Sequence, residues 1–276
     1  MPELPEVETV RRGLASSLTG AVITAVEVNL AKQVRRPRGD AQAFAKGLTG
    51  RRILAIDRRG KYLIFSFTEG CWLLAHLGMS GRLLVKDGSA EVAPHTHIVL
   101  RFDKGLALHY QDVRQFGGMA FWTTDPFQAA PLVHLGPEPL SEAFSAAWLY
   151  KKSRGRKIAV KSFILNQRIL AGVGNIYADE ALFRAGIRPR KAAGRLSRAD
   201  CARLQEAIQA VLEEGIAAGG SSIRDYVAAD GHTGSFQMAH AVYGHKGAPC
   251  PRCGRPLKGV LVGGRSSVYC PHCQSS

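Results

Sequence analysis

The chain has 276 residues, of which 37 are Lys or Arg and 22 are Asp or Glu, for a formal charge of +15. Hydrophobic residues make up 46%, enough to bury a core, which excludes a mainly disordered chain; no apolar run approaches the ~18 residues of a membrane span. At ~150 residues per domain the length suits about two domains, and the charge excess suits a polyanion, nucleic acid ahead of an anionic membrane surface.

Pro5 to Leu18 reads as a helix, with Leu4, Val7, Val10 and Leu14 on one face and Pro5 in the first turn. From Val22 to about Thr123 the pattern turns β-like, with short strands such as 52–56, 62–67, 97–102 and 106–110. Gly60, Gly70, Gly88 and Gly105 mark the turns between them. This spacing predicts a β-sandwich or flattened barrel with a flanking helix over residues 1–131. Two prolines break residues 132–140, which read as a linker. Helical periodicity follows over Ser141–Lys152, Ala159–Ile169, Asn175–Ala185 and Ser197–Ala218. Ser197 and Asp200 suit a capping box, and Gly219-Gly220 supplies the stop. The expected class is therefore α+β and multidomain: the sandwich, a helical domain over 141–240, and a cysteine-rich tail over 241–276. There is no internal repeat.

The tail carries the most specific metal signal. Cys250-x2-Cys253 and Cys270-x2-Cys273 lie sixteen residues apart, the spacing of a four-cysteine structural zinc site. Four thiolates fill a tetrahedral sphere and leave no position for a reactive water, so one Zn2+ would staple a small hairpin that has little core. The alternative is two redox CxxC pairs. Clustering of four of the six cysteines in the last 27 residues points to a reducing cytosol, because a secreted disulfide scaffold spreads its cysteines through the chain. The first thirty residues also lack an apolar signal core, which argues against secretion.

At the other end, Glu3, Glu6 and Glu8 crowd the start of the first helix. Ordinary helix capping explains acids there. Removal of Met1, however, would expose Pro2, a secondary amine. Attack by such an amine on a sugar C1′ yields an iminium that cannot shed its charge by deprotonation, which makes it a lasting electron sink.

The opening MPELPEVETVRRGL, the run HLGMSG over His76–Gly81, AGVGNIYADE over Ala171–Glu180 and the ending YCPHCQ occur in this order along the whole chain. Together they resemble bacterial formamidopyrimidine-DNA glycosylase. That resemblance implies the sandwich, a helix-two-turn-helix domain and a zinc finger, one structural Zn2+ per chain, damaged double-stranded DNA as partner, a monomer, and a bacterial cytoplasm. It implies a base excision repair enzyme that removes oxidised purines through a Pro2 Schiff base and then cuts the strand by β,δ-elimination. Glu3 would be the acid/base partner and Glu6 its support, Lys61 a proton donor in β-elimination, and Arg265 the phosphate-stabilising group of the δ step. An arginine with a pKa above ~12 is a poor proton donor, which favours that description of Arg265. Met79, Arg114 and Phe116 would fill the hole left by the flipped base, a step known for glycosylases as a group. His76, His95, Arg156, Lys161, Asn175 and Tyr243 would contact DNA, and the stretch from Gly219 to Gln237 would lie near the flipped base.

Structural alternatives accompany several of these residues. Lys61 could be a solvated turn lysine, Asn175 a plain helix cap, and Met79 and Phe116 core packing. Val113 and Gln115 stand where the family commonly has proline and arginine, which leaves the shape of that loop open. Two rival functions also fit: an endonuclease VIII-like glycosylase for oxidised pyrimidines, and a non-catalytic DNA-binding regulator. Leu4 and the Arg114/Phe116 pair favour the purine enzyme by resemblance. The regulator gives no reason for an unblocked Pro2 beside Glu3 and Glu6.

Overall fold

The fold is taken from a computed structural model, which describes residues 2–129, 131–221, 236 and 240–275. The chain divides into two compact units, one of residues 1–133 with 218–237, the other of 134–217 with 238–276. Helix α6 (Arg198–Ala217) ends at that division.

In the first unit, helix α1 (Leu4–Leu18) begins at a capping box in which the Glu6 carboxylate accepts from the Glu3 N–H at 2.8 Å. Among the described residues nine strands follow: β1 (Ile23–Val28), β2 (Val34–Arg36), β3 (Ile53–Arg59), β4 (Tyr62–Phe67), β5 (Cys71–His76), β6 (Gly81–Asp87), β7 (Thr96–Phe102), β8 (Leu106–Asp112) and β9 (Gly118–Trp122). They form a four-stranded sheet ordered β1-β7-β8-β6 and a five-stranded sheet ordered β2-β9-β5-β4-β3. Leu83, Ile98, Leu100 and Leu108 of the first sheet share one buried cluster with Leu63, Phe65, Leu73 and Phe121 of the second, and Val7, Val10 and Leu14 of α1 join it. This is a sandwich in which inward-facing apolar side chains of both sheets form one core.

One element departs from the β-like reading. Residues Ala41–Leu48 form a helix, α2, capped by Asp40, whose side chain accepts from the Ala43 N–H at 2.9 Å. Phe44 and Leu48, four apart, bury its inner face.

The second unit holds α3 (Ala146–Ser153), α4 (Val160–Leu165), α5 (Asn175–Arg184), α6 and the hairpin β10 (Lys258–Val262) and β11 (Arg265–Tyr269). α3 starts later than the expected Ser141 because Ser145 is the cap, accepting from Trp148 N–H at 3.1 Å. The Ser197/Asp200 capping box is present in both directions at 3.0 Å. Between α4 and α5, Gln167 ties the turn down: its side chain donates to Val173 O and accepts from the Gly172 N–H. Among the described residues, no helix is long and apolar enough to cross a membrane.

Candidate active site and metal centre

Pro2, Glu3 and Glu6 are all buried at the start of α1. Charged side chains rarely lie so deep unless they are engaged. Glu6 is engaged on both oxygens: Oε2 holds the Glu3 N–H, and Oε1 accepts from the Ser221 N–H at 2.8 Å. The first peptide after Pro2 is thereby fixed by a carboxylate whose own position is fixed from a second segment. Lys61 sits in the two-residue turn between β3 and β4, where Arg59 pairs with Tyr62. It is only 6% exposed, which removes the solvated-turn alternative.

Glu8, the third acid of the opening, has another task. It accepts from Arg11, Arg12 and Arg58 at 2.9–3.2 Å. Arg58 lies on β3 and donates onward to Gly60 O at 3.1 Å. Glu8 therefore ties the helix that follows Pro2 to the hairpin bearing Lys61. Burial pushes its carboxyl upward, yet the arginines hold the balance below its usual value.

His76 ends β5, with its ring centroid 4.8 Å from that of Tyr62. The Gly78 N–H donates to its Nδ1 at 3.1 Å. Burial first, then the charges of Lys61 and Arg35, lower its pKa to about 4. The ring is neutral at pH 7, with Nδ1 occupied as acceptor and Nε2–H left as the donor. Arg114 and Phe116 stand exposed, and Phe116 is 59% accessible with the Arg114 guanidinium 5.0 Å from its ring. Core packing is thus excluded for Phe116. Met79 is half-buried. His95 is exposed in the left-handed region at φ 63°, whereas His97 is buried with Nε2 2.8 Å from Asp112 O.

In the second unit, Asn175 is the first residue of α5, with Gly174 as the cap, so the plain-cap alternative fails. Its Nδ2 donates to Ser266 O at 3.1 Å. Arg265, next to Ser266, is exposed at the hairpin tip, where Val262 pairs with Arg265 across Gly263-Gly264. Arg156 is exposed after α3. Tyr243 is half-buried, and its N–H is held by Glu180.

Lys161 departs from expectation. It is wholly buried, 2.7 Å from Asp179 Oδ1, and it donates to Ser266 O at 2.8 Å and Ser267 Oγ at 2.7 Å. With its ammonium enclosed in this way it does not face a ligand; it anchors the β10–β11 hairpin to α4 and α5. Asp179 completes the anchor by accepting from Val268 N–H at 3.0 Å. Glu180 gathers the N–H groups of Ala241, Val242 and Tyr243 at 2.8–2.9 Å. These two carboxylates were readable only as acids inside an apolar helix. Most of the stretch from Gly219 to Gln237 lies outside the described residues.

All four tail cysteines bring Sγ within 4.8 Å of one another. Cys250 and Cys273 are 3.9 Å apart, and Cys253 and Cys270 3.6 Å. A tetrahedral zinc with bonds of about 2.3 Å sets its sulfurs about 3.8 Å apart, whereas a disulfide needs about 2.05 Å. The cluster fits one structural Zn2+ ion; Lewis acidity there would polarise no substrate, because the thiolates fill the coordination sphere.

Comparison with known proteins agrees with this geometry. Three family descriptions match in order: the formamidopyrimidine-DNA glycosylase N-terminal domain over residues 1–119, its H2TH domain over 135–227, and a zinc finger found in FPG and IleRS over 247–275. The formamidopyrimidine-DNA glycosylase of Teredinibacter turnerae is 46% identical over 275 residues, covering all of both chains. Among solved structures, a Lactococcus lactis Fpg mutant in complex with Fapy-dG containing DNA matches with TM-score 0.93 and 38% identity over all of both chains. The Lactococcus lactis Fpg bound to abasic-site DNA matches with TM-score 0.92 and 37% identity, over 99% of this chain and all of the other. The chain belongs to the formamidopyrimidine-DNA glycosylase family and is a DNA-repair glycosylase with a zinc finger.

Proposed function

We propose that the chain removes oxidised purines, chiefly 8-oxoguanine opposite cytosine and ring-opened formamidopyrimidines, and then cuts the strand at the abasic site. One observation carries this reading: Pro2 lies buried beside Glu3 and Glu6, with Glu6 bonded to the peptide that follows Pro2. After loss of Met1, the Pro2 nitrogen bonds to C1′ while the bond from C1′ to the base breaks and the leaving base takes a proton. Glu3 supplies the proton that opens the sugar, leaving an iminium on Pro2. Loss of a C2′ proton expels the 3′ phosphate, with Lys61 as the proton donor of this step. A second elimination expels the 5′ phosphate, stabilised by Arg265, and water then releases Pro2 from the sugar remnant.

His76, His95, Arg156, Asn175 and Tyr243 contact the DNA backbone in this reading, while Met79, Arg114 and Phe116 fill the space of the flipped base. Lys161 takes no part in contact. The protein acts as a monomer in a bacterial cytoplasm, and the zinc holds the finger without chemistry. The test is excision from duplexes carrying either 8-oxoguanine or an oxidised pyrimidine, with Pro2→Gly as control. Faster release of the purine, lost in Pro2→Gly, is expected. Preference for the pyrimidine moves the chain to an endonuclease VIII-like specificity, and activity that survives Pro2→Gly overturns the Schiff base.

A further inference from the structure

Topology sets the two turns carrying Met79, Arg114 and Phe116 side by side. Residues 77–80 join β5 to β6 and residues 113–117 join β8 to β9, so each turn crosses from one sheet of the sandwich to the other. His76 pairs with Gly118 at one flank, and Gly81 with Asp112 at the other. Between these pairs the backbones touch: a Cβ added at Gly78 would lie 2.4 Å from Gly117 N, and one at Gly117 would lie 2.3 Å from the Tyr110 hydroxyl.

At the centre is Asp112, fully buried. Its Oδ1 accepts from Ser80 Oγ at 2.6 Å, and its Oδ2 from Gly117 N–H at 2.8 Å and the Tyr110 hydroxyl at 3.2 Å. Burial, followed by the nearby Asp112 charge, raises the Tyr110 pKa and keeps that hydroxyl a donor. Ser80 Oγ in turn accepts from the Arg114 N–H at 2.9 Å. The Asp112 N–H donates to His95 O at 3.1 Å, and Arg35 donates to Gly117 O from outside at 3.0 Å. A carboxylate bonded from both turns resists any motion of one turn past the other.

We propose that Asp112 and Ser80 are positioning residues that preassemble Met79, Arg114 and Phe116 into one rigid wedge, so that the hole left by the flipped base is filled in a single insertion. The proposal rests on the wedge reading given above. Preorganisation of this kind acts on the step that opens the base stack, and an abasic nucleotide has no stack to give up.

Ser80→Ala deletes one oxygen and with it the link between the turns; Asp112→Ala removes the centre. Single-turnover release of 8-oxoguanine from a duplex is compared with strand cleavage at a preformed abasic site in the same duplex. Stopped-flow fluorescence of 2-aminopurine beside the lesion reports unstacking, and Phe116→Ala serves as reference. We expect release to fall about 10-fold in Ser80→Ala and about 100-fold in Asp112→Ala, with the fluorescence rise delayed and abasic-site cleavage within about twofold of wild type. Equal losses on both substrates make the pair ordinary framework and overturn the proposal. So does wild-type release in Ser80→Ala while Phe116→Ala is slow; that outcome leaves the wedge reading standing. A Phe116→Ala enzyme as fast as wild type brings down the wedge reading and the proposal with it. Ser80→Ala, which leaves the carboxylate in place, carries the test if Asp112→Ala does not fold.

Discussion

Replacing Lys161 by Met separates two roles for this lysine, a DNA contact and a framework anchor. The side chain is fully buried, its partner Asp179 is 1% exposed, and the ammonium also holds Ser266 O and Ser267 Oγ. Removing one member of a buried ion pair costs about 3–5 kcal/mol, because the other charge is left without compensation. Burial already raises the Asp179 carboxyl to about 6 with the lysine alongside. Without the lysine it takes up a proton at neutral pH, which brings the expected cost to the lower end, about 3 kcal/mol. A chain of two units does not unfold in two states, so the assay is hydrogen exchange at the Val268 amide, which donates to Asp179 Oδ2 at 3.0 Å. Its protection should drop by about two decades, since 1.4 kcal/mol is tenfold. Lys161→Met with Asp179→Leu removes both charges and should recover most of the loss. Unchanged Val268 protection, together with a DNA-binding salt slope reduced by about one, would refute the anchor and restore the contact.

Three further outcomes are expected. Between pH 6.5 and about 4 the unfolded chain binds a proton at His76 that the folded chain refuses, so this residue contributes about 3 kcal/mol at pH 7 that is lost as pH falls through that window. Asp179, with its raised pKa, acts in the opposite sense over nearly the same range, so the check is NMR titration of the His76 ring, and a midpoint near 6.5 contradicts the burial argument. Two exposed cations assigned to phosphates, Arg156 and Arg265, give a binding slope of about −1.8 in log salt, or about 12-fold weaker binding at ~200 mM than at ~50 mM; Arg156→Gln should lower the slope by about one, and a flat response refutes the contacts. Cys253→Ser or Cys270→Ser should release zinc and abolish DNA binding while circular dichroism still reports the sandwich strands, because the thiolates are much of what holds the hairpin; binding retained without zinc contradicts the finger's role.

Periodicity and turn residues made most of the framework legible. Strands such as Tyr62–Phe67 and helices such as α5 lie within a residue or two of where alternation and helical spacing put them. Helix α2 was hidden because a short helix among strands is outweighed by its surroundings, although Asp40 before Phe44 and Leu48 was a usable cap and stripe. Pro2, Glu3 and the cysteines could be picked out because their chemistry or spacing is unusual in itself. Burial cannot be read from residue type, and Lys161 shows the consequence: a lysine in a basic chain reads as a DNA contact until the partners that enclose it are known. Asp112, Asp179 and Glu180 escaped notice for the related reason that a carboxylate gathering donors from distant segments carries no local signature. Asp112, for example, bonds Ser80 from 32 residues away.

The central claim is that Pro2 becomes the covalent partner of a damaged nucleotide. Borohydride reduction of the zinc-loaded protein lacking Met1, mixed with a duplex holding one 8-oxoguanine opposite cytosine, tests it directly when the adduct is located by peptide mass spectrometry. The account predicts a stable cross-link on Pro2. No adduct with this lesion, with an oxidised pyrimidine or with an abasic site would contradict it.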